Sequence, residues 1–187
     1  RQFRAWFDGS KATNRSGDPL LVFHGTSDTF ATFESDGKPI WFSPNVMYAQ
    51  QYSDAVSWKD KLRPTSKVFG GANDKVVPAY IQARNVADFG DTDNSFVDSI
   101  TDISEALRIP ESELIDVWER SGRGEQTWQV VHSSEMVELL KSHGFDSIKA
   151  IENGSPTWAV FESNQVKSAV ANNGAFDAKN PDIRYSL

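Results

Sequence analysis

The sequence contains no cysteine. Disulfide bonds, thiolate metal sites and a cysteine nucleophile are therefore excluded, while the redox compartment stays undetermined. The three histidines, His24, His132 and His143, lie far apart and lack the spacing of a zinc motif, so we expect no metal. No apolar run reaches the length of a membrane-spanning helix and no signal peptide opens the chain, so we expect no membrane association.

Basic charge is also scarce, and the acidic charge that outweighs it is concentrated in one stretch. The net charge is -7, and residues 86–125 alone carry eleven acidic and three basic side chains. Such a surface repels phosphate backbones and disfavours broad nucleic-acid binding, although it leaves room for a local basic cleft. We interpret 86–125 as an acidic, mostly helical insert that is simply solvated. A docking surface for basic partners is the alternative.

What is present indicates a single α+β domain over residues 1–187. The length supports one core, and the hydrophobic fraction of 39% is typical of a globular chain. The ends are those expected of a domain from a longer protein, and the tail after 165 is predicted to wrap around the outside in an extended form. Short apolar strands alternate with amphipathic helices. The predicted strands are 20–23, 40–42, 75–86, 145–151 and 157–161, and the clearest predicted helices are 45–60, 99–109, 110–122 and 133–144.

The first strand is followed by His24, Gly25 and Thr26, in the sequence LLVFHGT. A neutral imidazole can hydrogen-bond a ribose hydroxyl, and a glycine lets a planar carboxamide approach the backbone closely. The threonine hydroxyl can then satisfy the other side of that carboxamide. These residue types suit nicotinamide and its ribose, but a turn that merely contains a histidine explains so short a motif as well.

A second segment, PIWFSPNVMYAQQYS, places two aromatic residues eleven positions apart. Trp41 lies on a predicted strand and Tyr52 on the helix that follows, so both could close on a flat ring. Ser43 lies two residues past Trp41 and would share its face of the strand. Ordinary core packing of a strand and an amphipathic helix is the alternative.

Together these segments resemble the ADP-ribosyltransferase superfamily, in the histidine–tyrosine branch that includes diphtheria toxin and the poly-ADP-ribose polymerases. The stretch TWAVFESNQV, residues 157–166, is similar to a third polymerase segment. The resemblance to ADP-ribosyltransferase domains of bacteriophage polyvalent proteins is closer still. It is carried by WFDGSKATNRSGDPLLVFHGT at 6–26 and NQVKSAVANNGAFDAKNPDIRYS at 164–186.

The resemblance implies a split β-sheet core with flanking helices and a site for NAD as co-substrate. His24 would bind the adenosine-side ribose, and Gly25 and Thr26 would hold the carboxamide. Trp41, with Ser43 on the same strand face, and Tyr52 would enclose the nicotinamide.

One position departs from the family pattern. Thr157 stands where the polymerase register has the catalytic glutamate, and threonine can hydrogen-bond a hydroxyl but cannot stabilise positive charge with a charge of its own. The expected catalytic residues are therefore His24, Tyr52, Thr157 and Gln165. Glu152, expected in the turn before Thr157, is a second candidate helper.

The implied activity is transfer of a single ADP-ribose to a macromolecular acceptor, with release of nicotinamide. A protein acceptor is favoured over nucleic acid because the chain is acidic. We expect a monomeric phage or bacterial effector or toxin that acts in a bacterial cytoplasm or is delivered into a target or host cell. An NAD-binding pseudoenzyme or interaction module and an NAD glycohydrolase are the alternatives.

Overall fold

The computed structural model describes residues 2–26, 33, 36–52, 75–170, 179 and 182. Within these ranges, helices and mostly antiparallel strands occur in separate runs, as in an α+β fold, which confirms the predicted class. The helices are α1 Gln2–Phe7, α2 Val46–Gln50, α3 Phe96–Leu107, α4 Glu111–Arg120, α5 Thr127–Val131 and α6 Ser134–Ser142. The strands are β1 Val22–Thr26, β2 Ile40–Phe42, β3 Lys75–Ile81, β4 Val86–Asp91, β5 Ser147–Glu152, β6 Ser155–Val160 and β7 Val166–Ser168.

The strands form two sheets, as expected for a split-sheet fold. One has the order β1-β3-β7 and the other the order β2-β6-β5-β4. The sheets approach each other at Phe23 and Ser43, whose backbone groups exchange hydrogen bonds of 2.8 and 2.9 Å. This bridge places the end of β1 beside β2, although 17 residues separate His24 from Trp41.

Two hydrophobic cores lie on either side of the second sheet. Buried residues of both sheets form one core, and buried residues of β4, β5 and β6 pack with α3–α6 to form the other. Strand side chains alternate with period two. Ile40 and Phe42 therefore enter the core between the sheets, while Trp41 packs against the helix-side core and is left partly exposed.

The acidic stretch contributes to this second core. Residues 86–91 form β4, which pairs in parallel with β5, and α3 and α4 occupy most of the remainder. Phe96 and Leu114 of these helices are fully buried. The helices of 86–125 were predicted from sequence, but the strand that joins the stretch to the sheet was not.

A tight hairpin joins β5 and β6. Asn153 and Gly154 both adopt positive φ, 48° and 71°, as a two-residue turn between twisted strands requires. A turn before Thr157, between the predicted strands 145–151 and 157–161, was expected from the sequence. The register of the hairpin pairs Ala150 with Thr157 and Glu152 with Ser155.

Some predictions fall outside the described residues. These are residues 53–60 of the predicted helix and the tail beyond 170 apart from Lys179 and Asp182. Tyr52 is described, and it lies in the turn after α2 rather than on the helix as predicted. Within the described part of the chain, no helix is long and apolar enough to cross a membrane.

Candidate active site

A cleft of about 760 Å³ opens where β1 and β2 meet. Its volume lies within the range of roughly 300–1,000 Å³ that is typical of small-molecule sites. The cleft brings together residues from β1, β2, the end of α2, and the β5–β6 hairpin. The residues predicted for the site that line it are His24, Gly25, Thr26, Trp41, Ser43, Tyr52 and Thr157.

The orientation of the His24 imidazole is fixed by a hydrogen bond, and its burial favours the neutral form. Its Nδ1 lies 2.8 Å from the carbonyl oxygen of Trp41, and because a carbonyl only accepts, Nδ1 carries the hydrogen. The ring packs edge-on to Phe33 at 4.8 Å and near Phe42 at 5.5 Å. This burial lowers the pKa of His24, and the bond to Trp41 opposes it only in part. The neutral ring therefore keeps its lone pair on Nε2, which can accept a bond from a hydroxyl.

Trp41 is held at both ends. Its carbonyl accepts from His24, and its indole Nε1–H donates to Nδ1 of His132 over 2.9 Å. The rings of Trp41 and His132 lie 6.3 Å apart at an angle of 20°. The edge of the indole that carries Nε1 is thus fixed, and the residue lines the cleft as predicted.

Gly25 and Thr26 are the last two residues of β1 and are half-buried along the cleft. Ser43 also lines the cleft, but only 2% of its surface is exposed. Its hydroxyl donates to the carbonyl of Pro156 over 3.1 Å and accepts from the backbone N–H of Asn45 over 3.0 Å. Ser43 therefore ties β2 to the β5–β6 hairpin.

Tyr52 and Glu152 form a hydrogen-bonded pair at the cleft. The Tyr52 hydroxyl donates to Oε1 of Glu152 over 3.3 Å, and the Tyr48 hydroxyl lies 3.0 Å from the Tyr52 hydroxyl. Partial burial, then the Tyr48 bond and the Glu152 charge, raise the pKa of Tyr52, so its hydroxyl stays protonated. Since Tyr52 donates to Glu152, it accepts from Tyr48. The bonds run in one direction, from Tyr48 through Tyr52 to Glu152.

Glu152 lies at the last position of β5 rather than in the turn where it was predicted. It is half-buried, and among the described residues that line the cleft it is the sole carboxylate. Thr157 lies on the neighbouring strand with only 3% of its surface exposed. Its hydroxyl donates to the carbonyl of Ala150 over 3.3 Å. Of the two residues, Glu152 is the one that a ligand in the cleft can reach readily.

The prediction that Gln165 belongs to the site is not supported, because Gln165 does not line the cleft. Its Oε1 accepts from the backbone N–H groups of Phe161 and Glu162, at 3.0 and 2.9 Å. Its Nε2 donates to the carbonyls of Gln82 and Asp146, at 2.9 and 3.0 Å. All the bonding capacity of this buried amide is used to join separate segments of the fold.

Sequence reasoning missed several residues that line the cleft, and those between β4 and α6 are Thr92, Trp128 and His132. The Thr92 hydroxyl donates to the carbonyl of Ile151 over 2.9 Å, which attaches this segment beside Glu152. Trp128 and His132 lie on and just after α5. No local motif marks them, and the rarity of histidine was the one sequence signal at His132. Across the described ranges, no cluster of three or more metal-binding side chains occurs.

A family model described as ADP-ribosyltransferase in polyvalent proteins matches residues 14–176. The chain belongs to that family. ADP-ribosyltransferases use NAD as a substrate, which agrees with the cofactor that the first strand end was expected to bind. The match covers both the cleft residues of β1 and β2 and the hairpin that carries Glu152 and Thr157.

A crystal structure of an anti-CRISPR protein is similar to this ADP-ribosyltransferase-family chain at a TM-score of 0.39 and 10% identity. The alignment covers 79% of this chain and 91% of the other. A likeness this distant carries no argument about function. No curated protein matches the chain.

Proposed function

We propose that this domain cleaves NAD between nicotinamide and ribose and transfers the ADP-ribose to a macromolecular acceptor. The observation that carries the proposal is the convergence of His24, Gly25, Thr26, Trp41 and Tyr52 on one cleft of suitable volume. These residues come from distant parts of the chain and supply the groups that NAD needs. Family membership supports the same conclusion.

The cleft offers groups for both the adenosine-side ribose and the nicotinamide of NAD. His24, neutral and with Nε2 as acceptor, binds a hydroxyl of the adenosine-side ribose. Gly25 and Thr26 hold the carboxamide through backbone and hydroxyl groups. The rings of Trp41 and Tyr52 enclose the nicotinamide, and the supported Trp41 indole forms the more rigid side.

Bond cleavage develops positive charge on the ribose. Nicotinamide leaves as a neutral ring and takes the electron pair of the glycosidic bond with it. A fixed carboxylate stabilises the charge that remains. We assign this role to Glu152, because Thr157 carries no charge and is almost fully buried. The Tyr52 hydroxyl orients the Glu152 carboxylate and links it to the ring that covers nicotinamide.

The acceptor then forms a bond to the ribose carbon and loses its proton if it carries one. A carboxylate acceptor brings its own charge and needs little help from a base. The site thus favours single transfer over chain elongation, which requires deprotonation of a ribose hydroxyl. A protein acceptor fits the acidic chain better than nucleic acid does. Such an activity suits a phage or bacterial effector working inside a bacterial or target-cell cytoplasm.

The proposal is tested with NAD labelled on the adenine side. The protein is incubated with this NAD and a bacterial lysate, and nicotinamide release and label incorporation are followed. His24→Ala is compared with His143→Ala, since His143 pairs with Glu113 outside the cleft. We expect labelled protein with wild type and His143→Ala, and none with His24→Ala.

Other outcomes identify the alternatives. Nicotinamide release without labelled macromolecule would establish a glycohydrolase. NAD binding without release would establish a cofactor-binding module. Polymer formation would contradict single transfer.

A further inference from the structure

Two of the three histidines in the chain contact the same tryptophan. His24 fixes the backbone of Trp41, and His132 accepts from its indole across 91 residues of sequence. His132 is the residue that ends α5, and it reaches β2 because α5 packs on the helix side of the second sheet. The NAD site described above assigns no role to His132.

We propose that His132 is a positioning residue that orients the Trp41 indole for the flat ring bound in the cleft. This inference rests on the proposed function, in which Trp41 encloses nicotinamide. His132 acts on the ligand through Trp41.

The torsion that turns a tryptophan ring about its Cβ–Cγ bond has broad minima, so packing alone defines the ring plane loosely. Trp41 lies on a short strand and is partly exposed, which leaves its outer edge to be fixed by other groups. The bond of 2.9 Å to His132 fixes the indole Nε1, and the imidazole lies beyond that edge at an angle of 20° to the indole plane. A wall that is ordered before binding loses less entropy when the ligand arrives.

The arrangement requires His132 to accept at Nδ1, which only a neutral ring in one tautomer can do. Partial burial, and then the nearby charge of Lys38, lower the pKa of His132, which favours the neutral ring at neutral pH. The hydrogen of this tautomer is on Nε2. The protonation state and the observed geometry are therefore consistent.

The test compares two variants of equal size that differ in the acceptor. In His132→Asn the side-chain oxygen can occupy the place of Nδ1, whereas His132→Leu has the same shape without an acceptor. His143→Leu is the control, because His143 likewise ends a helix, α6, with similar backbone angles and lies outside the cleft. All three substitutions lie at exposed or half-exposed positions and should leave the fold intact.

Two readouts are measured on each variant. The first is the NMR signal of the Trp41 indole N–H, identified by its loss in Trp41→Phe. The second is NAD affinity by calorimetry. We expect His132→Leu to shift the indole signal upfield and to weaken NAD binding about three- to tenfold, the worth of one net hydrogen bond. His132→Asn should restore both towards wild type, and His143→Leu should change neither.

Unchanged NAD affinity in His132→Leu, or equal losses in His132→Asn and His132→Leu, would overturn the positioning role. An indole N–H signal that does not move in His132→Leu would overturn the positioning role even if the wild type bound no NAD. If the wild type binds no NAD but His132→Leu shifts the indole signal, the proposed function is refuted. The hydrogen bond between Trp41 and His132 is then still supported.

Discussion

Two groups of residues that line the cleft have different origins, and the β5–β6 hairpin adds Glu152 and Thr157 to them. The strand-end group, His24, Gly25, Thr26, Trp41 and Tyr52, comes from two short segments near the start of the chain. The helix-side group, Thr92, Trp128 and His132, comes from three places between β4 and α6. Residue types at fixed local spacing define the first group. Tertiary packing alone brings the second group into the cleft. Part of the cleft can therefore be predicted from sequence, and part cannot.

The difference teaches where each group should act. The strand-end group contains the polar and aromatic groups that would touch NAD. In the helix-side group, Thr92 bonds a backbone carbonyl beside Glu152, and His132 bonds Trp41. We therefore expect substitutions that remove charge or ligand contacts to affect the chemistry most, and substitutions that act through neighbours to affect affinity less.

The largest effect is expected for Glu152→Gln, which keeps a partner for Tyr52 but removes the charge. We predict that kcat for nicotinamide release falls about a hundredfold, as for loss of one group that stabilises transition-state charge, while NAD affinity is retained. Steady-state release and calorimetry measure the two quantities. Thr157→Val removes the hydroxyl on the neighbouring strand with little change of shape and should alter kcat little. A kcat that survives Glu152→Gln but falls with Thr157→Val would transfer the role to Thr157.

A smaller effect, on NAD affinity, is expected when the pH is lowered. The pKa of His24 lies below its ordinary value of 6.5, because burial disfavours the charged ring. His24 is therefore mainly neutral at pH 6.5, and most of the loss of NAD affinity should occur below that pH, as Nε2 takes up a proton. Calorimetric affinity measured over a pH series checks this. An affinity that declines already above 6.5 would show that another group controls binding.

The same shift has a consequence for stability. As the pH falls below 6.5, His24 in the unfolded chain takes up a proton that the folded chain does not yet bind. The free energy of unfolding should therefore decrease through this window. Urea unfolding of wild type and His24→Phe at several pH values would show a weaker dependence in the variant.

A modest effect on the chemistry is expected for Tyr52→Phe, which keeps the ring and removes the bond to Glu152. We predict a loss in kcat of about three- to tenfold, the worth of one hydrogen bond that orients the carboxylate. Nicotinamide release measures it. Combining Tyr52→Phe with Glu152→Gln should add little further loss. Fully additive losses would mean that the two residues act independently.

No effect on the chemistry is expected for Gln165→Ala. Four hydrogen bonds of a buried amide are lost, so we predict a decrease of about 2–4 kcal/mol in the free energy of unfolding. Urea unfolding measures this, and kcat per folded molecule should equal that of wild type. A selective loss of kcat without loss of stability would return Gln165 to the active site.

Much of the fold is encoded locally and could be predicted. Asn45 caps α2 by accepting from Met47 and Tyr48, as its position before a helical pattern indicated. Asn153 and Gly154 turn the β5–β6 hairpin. Ser133 caps the start of α6 in the same way. In each case the signal and the structure it specifies lie within a few residues.

The features that could not be predicted depend on contacts distant in sequence. Gln165 follows a strand in a motif shared with the family, but four backbone groups that it meets only in the folded chain determine its role. Glu152 was predicted to lie in the turn, because the sequence does not define the end of β5 to within one residue. His132 has no local pattern, and the packing of α5 on the second sheet brings it to Trp41.

The central claim is that NAD binds in the cleft at the end of β1, and direct calorimetry on three proteins tests it. Wild type, His24→Ala and the surface control His143→Ala are titrated with NAD under the same conditions. The account predicts equal affinities for wild type and His143→Ala, and a loss of about tenfold or more for His24→Ala. Unchanged affinity in His24→Ala, or no binding by the wild type, would contradict it.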